Sequence, residues 1–342
     1  MSKTFIIAEA GANHNRDFEQ AKSLIDVAAK SGVDAVKFQT YSSETLYSAN
    51  TPDFAGYKNI NKLIKDIEMP RSWLKDLKSY CGDKGIEFVS TPFDEQAVEE
   101  LYNIGVNRYK IAGFEATDPR IVKCVASTGL PLIITSGIGS NVAVVRRILG
   151  WVREANPSAD ITILHGNNAY PTPFEDAGLN QIDRLREEFT DISVGLSDHT
   201  PGILVPPLAV AKGATVIEKH YTLSRLLPGP DHPFAIEPQE LEQMVKNIRI
   251  AEMACSEKQG ELTASEESFS MAMRSLVTKR KIHAGEKLTE ENTTTKRPFL
   301  SDSIPAREYY TIVEDDTIVL KDLDEDHIVQ WNEISSARKS NA

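Results

Sequence analysis

Eight short apolar runs rich in β-branched residues, each separated from the next by a segment of helical periodicity, order this chain from residue 5 to about residue 256. They are FIIAEA (5–10), DAVKFQT (34–40), EFVSTPF (87–93), RYKIA (108–112), PLIITSG (131–137), ITILHG (161–166), ISVGLSD (192–198) and TVIEKHY (215–221). The intervals carry apolar residues at i, i+3 and i+4, as in FEQAKSLIDVAAKSG (18–32), where Gly32 supplies the stop signal. Strands alternating with helices imply a parallel sheet, and eight such units predict a (β/α)8 TIM barrel. An open doubly wound sheet is the alternative, but it usually places a Gly-rich phosphate loop after the first strand, and EAGANHN does not match GxGxxG. The stretch YSSETLYSANTPDFAGYKNINKLIKDIEMP, between the second and third strands, is too long to be a simple connection and is expected to shape a site.

The pattern breaks near residue 257. SEKQGELTASEESF reads as the core of a polar linker, 257–275. The runs YYTIV, DTIVL and HIVQW that follow predict a small β-rich domain over 276–336, with a disordered tail at 337–342. A domain of that size is marginal alone and is expected to lean on a partner surface. The catalytic unit would then be 1–256. A net charge of −12 lacks the clustered Lys and Arg that bind nucleic acid. The three cysteines, Cys81, Cys124 and Cys255, have neither disulfide-framework nor zinc-knuckle spacing. The short apolar run FIIA before Glu9 is too short for a signal peptide, and no run approaches the ~18 apolar residues of a membrane span, so a soluble, cytoplasmic protein is expected.

In a barrel the C-terminal strand ends converge on one mouth. That geometry would gather Glu9, Lys37, Gln39, Ser90, Thr91, Lys110, Glu115, Thr135, Ser136, His165, Asn168, Tyr170, Asp198, His199, Glu218 and His220. Any one of them alone is more simply a rim residue. Polar groups at nearly every strand end are hard to explain by stability, because such groups are rarely buried unpaired. Two ammonium groups at one mouth, Lys37 and Lys110, call for an anion such as phosphate or carboxylate, with Thr91, Thr135 and Ser136 adding hydroxyl donors. A Schiff-base lysine remains the competing use of either. His199 and His220, at the ends of consecutive strands, would lie close enough to hold one exchangeable divalent cation, Mn2+ before structural Zn2+.

The motifs IIAEAGANHN, DAVKFQTY, FVSTPFD, YKIA, NNAYPTPFED, GLSDHT, IEKHYT, PGPDH and KRP, in this order over nearly the whole chain, resemble those of the sialic acid (N-acetylneuraminate) synthase family, which includes legionaminic and pseudaminic acid synthases. The resemblance implies a barrel followed by a C-terminal antifreeze-like (SAF) domain, in a domain-swapped homodimer. It also implies metal-dependent condensation of phosphoenolpyruvate with an open-chain N-acetylated hexosamine such as N-acetylmannosamine, or with a 2,4-diacetamido-trideoxyhexose, releasing phosphate by C–O cleavage. By position, His199 and His220 would bind the metal, with Mg2+ or Co2+ as substitutes for Mn2+, and no organic cofactor is expected. Glu9 would be the catalytic carboxylate and Glu115 a second one near the reacting centre. Lys37, Thr91, Lys110, Thr135 and Asn168 would contact phosphoenolpyruvate, and Tyr170, Asp231 and the partner chain's Arg297 the sugar. The chain departs from the family pattern where Gly113 and Thr135 replace serines, and where KRPFLSDSIPA lacks the glycines usual after KRP. A reversible Schiff-base pyruvate lyase and a non-catalytic ligand-binding protein are the two readings from other classes.

Overall fold

The computed structural model describes residues 3–335 apart from 54, 55, 57, 258, 259 and 261. The tail expected at 337–342 lies outside the described residues. Two compact units divide the chain, Met1–Ser256 and Glu257–Ala342.

In the first unit β1 (Phe5–Gly11) leads into α1 (Phe18–Ser31), and β2 (Ala35–Thr40) into α2 (Ser43–Leu46), α3 (Ile60–Ile67) and α4 (Leu74–Asp83). Then β3 (Glu87–Pro92) leads into α5 (Glu95–Asn103), β4 (Tyr109–Ile111) into α6 (Pro119–Ala126), and β5 (Leu132–Thr135) into α7 (Val142–Ala155). Last come β6 (Ile161–Gly166) with α8 (Asn180–Glu188), β7 (Ser193–Asp198) with α9 (Val205–Ala211), and β8 (Val216–His220) with α10 (Pro238–Ala254). The strands pair in the order β3-β2-β1-β8-β7-β6-β5-β4, every pair parallel. Since β8 returns to β1, and β3 and β4 lie side by side at the seam, the sheet curls into the expected (β/α)8 barrel. Local signals agree with the helix bounds: Asp17 caps α1 by accepting from the Glu19 and Gln20 amides, and Gly32 ends it at φ 79°. The long second loop contains two of these helices, α2 and α3.

Strand side chains alternate between two environments. Outward residues such as Ile6, Ala8, Val36, Phe38, Val194 and Leu196 join the helices in the main core. Inward residues Ile7, Ala35, Val89, Ile133, Leu164 and Val216 plug the barrel, each Ile, Leu or Val side chain among them contributing roughly 1.5–3 kcal/mol when fully buried. Toward the C-terminal end the inward series turns polar. Four residues expected at the mouth belong instead to the outward series. Ser90 Oγ shares a 2.8 Å hydrogen bond with Thr40 Oγ1, Ser136 Oγ donates to Leu164 O at 3.1 Å, His165 Nε2 lies 2.8 Å from Ala177 O, and Asp198 pairs with Lys219. Position at a strand end does not fix which face a residue takes; its parity does.

In the second unit α11 (Ala264–Glu267), opened by a Thr263/Glu266 capping box, lies within the stretch expected to be a linker. Two small antiparallel sheets follow, β9 (Ser275–Thr278) with β10 (Thr293–Lys296), and β11 (Ile318–Val319) with β12 (Ile334–Ser335). YYTIV, expected as a strand, is part of helix α12 (Tyr309–Glu314). Tyr309 and the buried Ile312, three residues apart, face the small core while Tyr310 is exposed, and a run this short carries no periodicity to separate helix from strand. DTIVL carries β11, whereas HIVQW pairs only through isolated bridges, Val277 with Ile328 and Ser303 with Gln330. Among the described residues no helix is long and apolar enough to cross a membrane.

Candidate active site

At the barrel mouth four buried charges interlock. Lys37 Nζ lies 2.9 Å from Glu9 Oε1 and 3.9 Å from Glu218 Oε2, and Lys110 Nζ lies 3.2 Å from Glu218 Oε1. Lys37 Nζ also donates to Thr91 Oγ1 at 3.2 Å, Gln39 Nε2 to Glu9 Oε1 at 2.8 Å, and Ser197 Oγ to Glu218 Oε1 at 3.1 Å. Glu218, Gln39 and Ser197 received no role from the sequence. The available signal for Glu218 was parity: two residues before His220, it must share that residue's face.

Burial would lower the Lys37 pKa, but Glu218 and Glu9 outweigh it and hold it above the ordinary value. For Lys110 burial prevails over Glu218, and its pKa falls. Glu9 is raised by burial and by repulsion from Glu218, against the pull of Lys37. Glu115, on the turn after β4, is pushed up to about 7 by burial. Glu9 Oε2, Glu115 Oε2, Glu218 Oε2, Thr135 Oγ1 and Asn168 Oδ1 are buried without a hydrogen-bond partner. Groups of this kind are expensive to fold, and their convergence on one mouth marks a surface organised for a polar ligand.

The two histidines meet on the wall beside these charges, with ring centroids 5.4 Å apart. His199 Nδ1 donates to Asn167 O at 2.6 Å, which fixes the tautomer and leaves the Nε2 lone pair for a ligand. His220 Nδ1 is buried without a hydrogen-bond partner and lies 3.8 Å from Asp231 Oδ2. Burial depresses the pKa of both rings, His199 to about 4, so both are neutral, the form that binds a cation. Two neutral imidazoles, that of His199 oriented by Asn167, therefore fit a divalent ion. Among the described residues no set of three or more His, Cys, Asp or Glu side chains forms a metal cage.

Asp231, its pKa raised by burial, accepts from the Ala12 amide at 3.4 Å and crowds Gly11, where a Cβ would lie 2.7 Å from Asp231 Oδ2. Gly11 also has φ 51°, so a glycine is required there on two grounds. Tyr170 packs against His199 at a centroid distance of 4.3 Å, its ring tilted by 51°. A cavity of about 290 Å³ joins these groups, with Gln39, Glu115, Asn168, Tyr170, His220 and Asp231 at its polar end. Its other wall is apolar, formed by Leu46 after β2, Ile60, Leu63, Ile64 and Ile67 of α3, and Phe93. Of the residues expected at the site, Glu9, Lys37, Thr91, Lys110, Glu115, Thr135, Asn168, Tyr170, His199, His220 and Asp231 all lie in the first unit. Arg297 is exposed in the second, just past β10.

The sequence pattern of the NeuB family matches residues 24–260. The chain belongs to the NeuB family. It is similar to the N,N'-diacetyllegionaminic acid synthase of Legionella pneumophila, 38% identical over 86% of this chain and 85% of that protein. It is 35% identical to a pseudaminic acid synthase of Campylobacter jejuni, over 86% and 88% of the two chains. Among solved structures, the N-acetylneuraminic acid synthetase of Leptospira borgpetersenii in complex with citrate superposes with a TM-score of 0.72, at 33% identity, over 78% of this chain and 90% of that one. The family resemblance read from the motifs is borne out.

Proposed function

We propose that this NeuB-family chain condenses phosphoenolpyruvate with an open-chain N-acetylated sugar to give a nonulosonic acid, the sialic-type acids, releasing phosphate. The observation that carries the reading is the buried Lys37–Glu9–Lys110–Glu218 lattice beside His199 and His220. In this reaction the methylene carbon of phosphoenolpyruvate attacks the sugar aldehyde, water adds at the adjacent carbon, and phosphate leaves with C–O cleavage. Lys37 and Lys110 hold the anionic substrate, and Thr91, Thr135 and Asn168 add neutral contacts. Glu9, whose pKa is raised by burial, is placed to take a proton from the incoming water, and Glu115 is a second proton-managing carboxylate. A divalent cation, Mn2+ first with Mg2+ or Co2+ as substitutes, would be held by His199 and His220 and would supply Lewis acidity toward the aldehyde. Tyr170 and Asp231 orient the sugar.

The apolar wall of Leu46, Ile60, Leu63, Ile64, Ile67 and Phe93 supports a sugar rich in methyl groups, and so a 2,4-diacetamido-trideoxyhexose ahead of N-acetylmannosamine. The second unit is taken as an antifreeze-like cap that reaches a partner's barrel in a homodimer, bringing Arg297 to the sugar. The deciding experiment is phosphate release from phosphoenolpyruvate with Mn2+ against a panel of both sugar classes. Turnover that requires one of these sugars and is abolished by His199→Ala, His220→Ala or EDTA upholds the reading. Borohydride trapping of a lysine–pyruvate adduct without metal would replace it with the Schiff-base lyase.

A further inference from the structure

Behind the histidines, on the outer face of the barrel, sits a second buried ion pair that the proposed chemistry does not use. Lys219 and Asp198 are register partners on β8 and β7, each only 2% exposed, and Lys219 Nζ donates to Asp198 Oδ2 at 2.6 Å. The same ammonium donates to the Thr200 carbonyl. Asp198 Oδ1 accepts both from the Thr200 amide, at 3.0 Å, and from its hydroxyl, at 2.9 Å. Residues on both sides of His199 are thereby tied to the residue that precedes His220.

The β7–β8 ladder ends at this pair, so beyond it the His199 segment has left strand pairing. Neighbouring outward positions on the two strands, Leu196 and Ile217, are aliphatic. Stability does not call for charges here, since apolar pairs often replace buried ion pairs without loss. We propose that the Lys219–Asp198 pair is a positioning device: from behind the barrel wall it sets the separation and orientation of His199 and His220. This rests on the proposed reading only where it speaks of a shared cation. The imidazole spacing itself does not depend on it. Together with the His199–Asn167 bond, the pair would act as the outer-layer support that metal-binding histidines need.

The test compares full-length Lys219→Met/Asp198→Leu and Lys219→Arg with the unaltered protein. Measurements are thermal midpoint, Mn2+ affinity from the paramagnetic resonance of free Mn2+, KM for phosphoenolpyruvate at saturating Mn2+, and a crystal structure. The double variant is expected to fold with a near-normal midpoint, to bind Mn2+ roughly ten- to a hundred-fold more weakly, and to keep its KM. Its imidazoles should depart from the 5.4 Å centroid separation, and Lys219→Arg should recover part of the affinity. Unchanged spacing and affinity would overturn the proposal, as would a double variant that fails to fold, which would make the pair a stabilising element. If the unaltered protein takes up no Mn2+, the metal reading fails and the crystallographic spacing alone decides the positioning role.

Discussion

Gly113 and Asn168 meet so closely that a Cβ on Gly113 would lie 2.8 Å from Asn168 Nδ2 and 2.9 Å from its Oδ1. The carboxamide takes the space into which a side chain at 113 would project, and its Oδ1 is buried without a partner. In this chain Asn168 therefore stands where a serine at 113 would otherwise reach. Gly113→Ser should turn Asn168 aside, and because the new Cβ would also lie 3.2 Å from Gly137 Cα, the backbone there must give by a few tenths of an ångström. KM for phosphoenolpyruvate should rise roughly 10-fold, in line with loss of one hydrogen bond to a charged group. An unchanged KM would remove Asn168 from the substrate contacts.

The Lys110–Glu218 pair, 3.2 Å apart and buried, predicts a stability effect that an anion repairs. Glu218→Gln leaves two buried ammonium groups with less compensation and should cost about 3–5 kcal/mol. Inorganic phosphate should then raise the thermal midpoint of this variant more than that of the unaltered protein. Equal shifts would mean that the anion binds away from these lysines.

Glu115 offers a pH test. Burial raises its pKa from 4.5 to about 7, so the folded protein binds this proton more tightly than the unfolded chain. The associated stability is fully present below pH 4.5 and is lost as pH rises to about 7, on the order of 3 kcal/mol in all. Glu115→Gln should flatten that part of the pH–stability curve and remove any inflection near 7 from kcat/KM. Persistence of both features in the variant would assign them to another group.

Assembly is tested by complementation. If the second unit carries Arg297 to a partner's barrel, Arg297→Ala and Glu9→Ala proteins are each inactive, but a mixed dimer holds one site with both defects and one with neither. Activity should return on subunit exchange of equal amounts, to about a quarter of the unaltered level, since about half the dimers are mixed and each holds one intact site of two. No recovery, with exchange verified by mass, would leave Arg297 serving its own barrel or none.

The barrel was legible in the sequence because its signals are local. Strand runs of five to seven residues, the Asp17 cap and the Gly32 stop are set by neighbours along the chain. Motif order carried the family. YYTIV went wrong for the converse reason: five residues hold no period, and the choice of helix fell to whichever face Tyr309 and Ile312 could bury. Pairings across the barrel were likewise invisible. Lys37 and Glu9 stand on neighbouring strands, as do Lys219 and Asp198, yet one pair faces the mouth and the other the helices. Sequence by itself determined that charged residues stand at the strand ends. Strand parity and barrel closure, which act between segments far apart in the chain, decided which of them meet, because a buried charge is tolerated only where the fold brings it a partner.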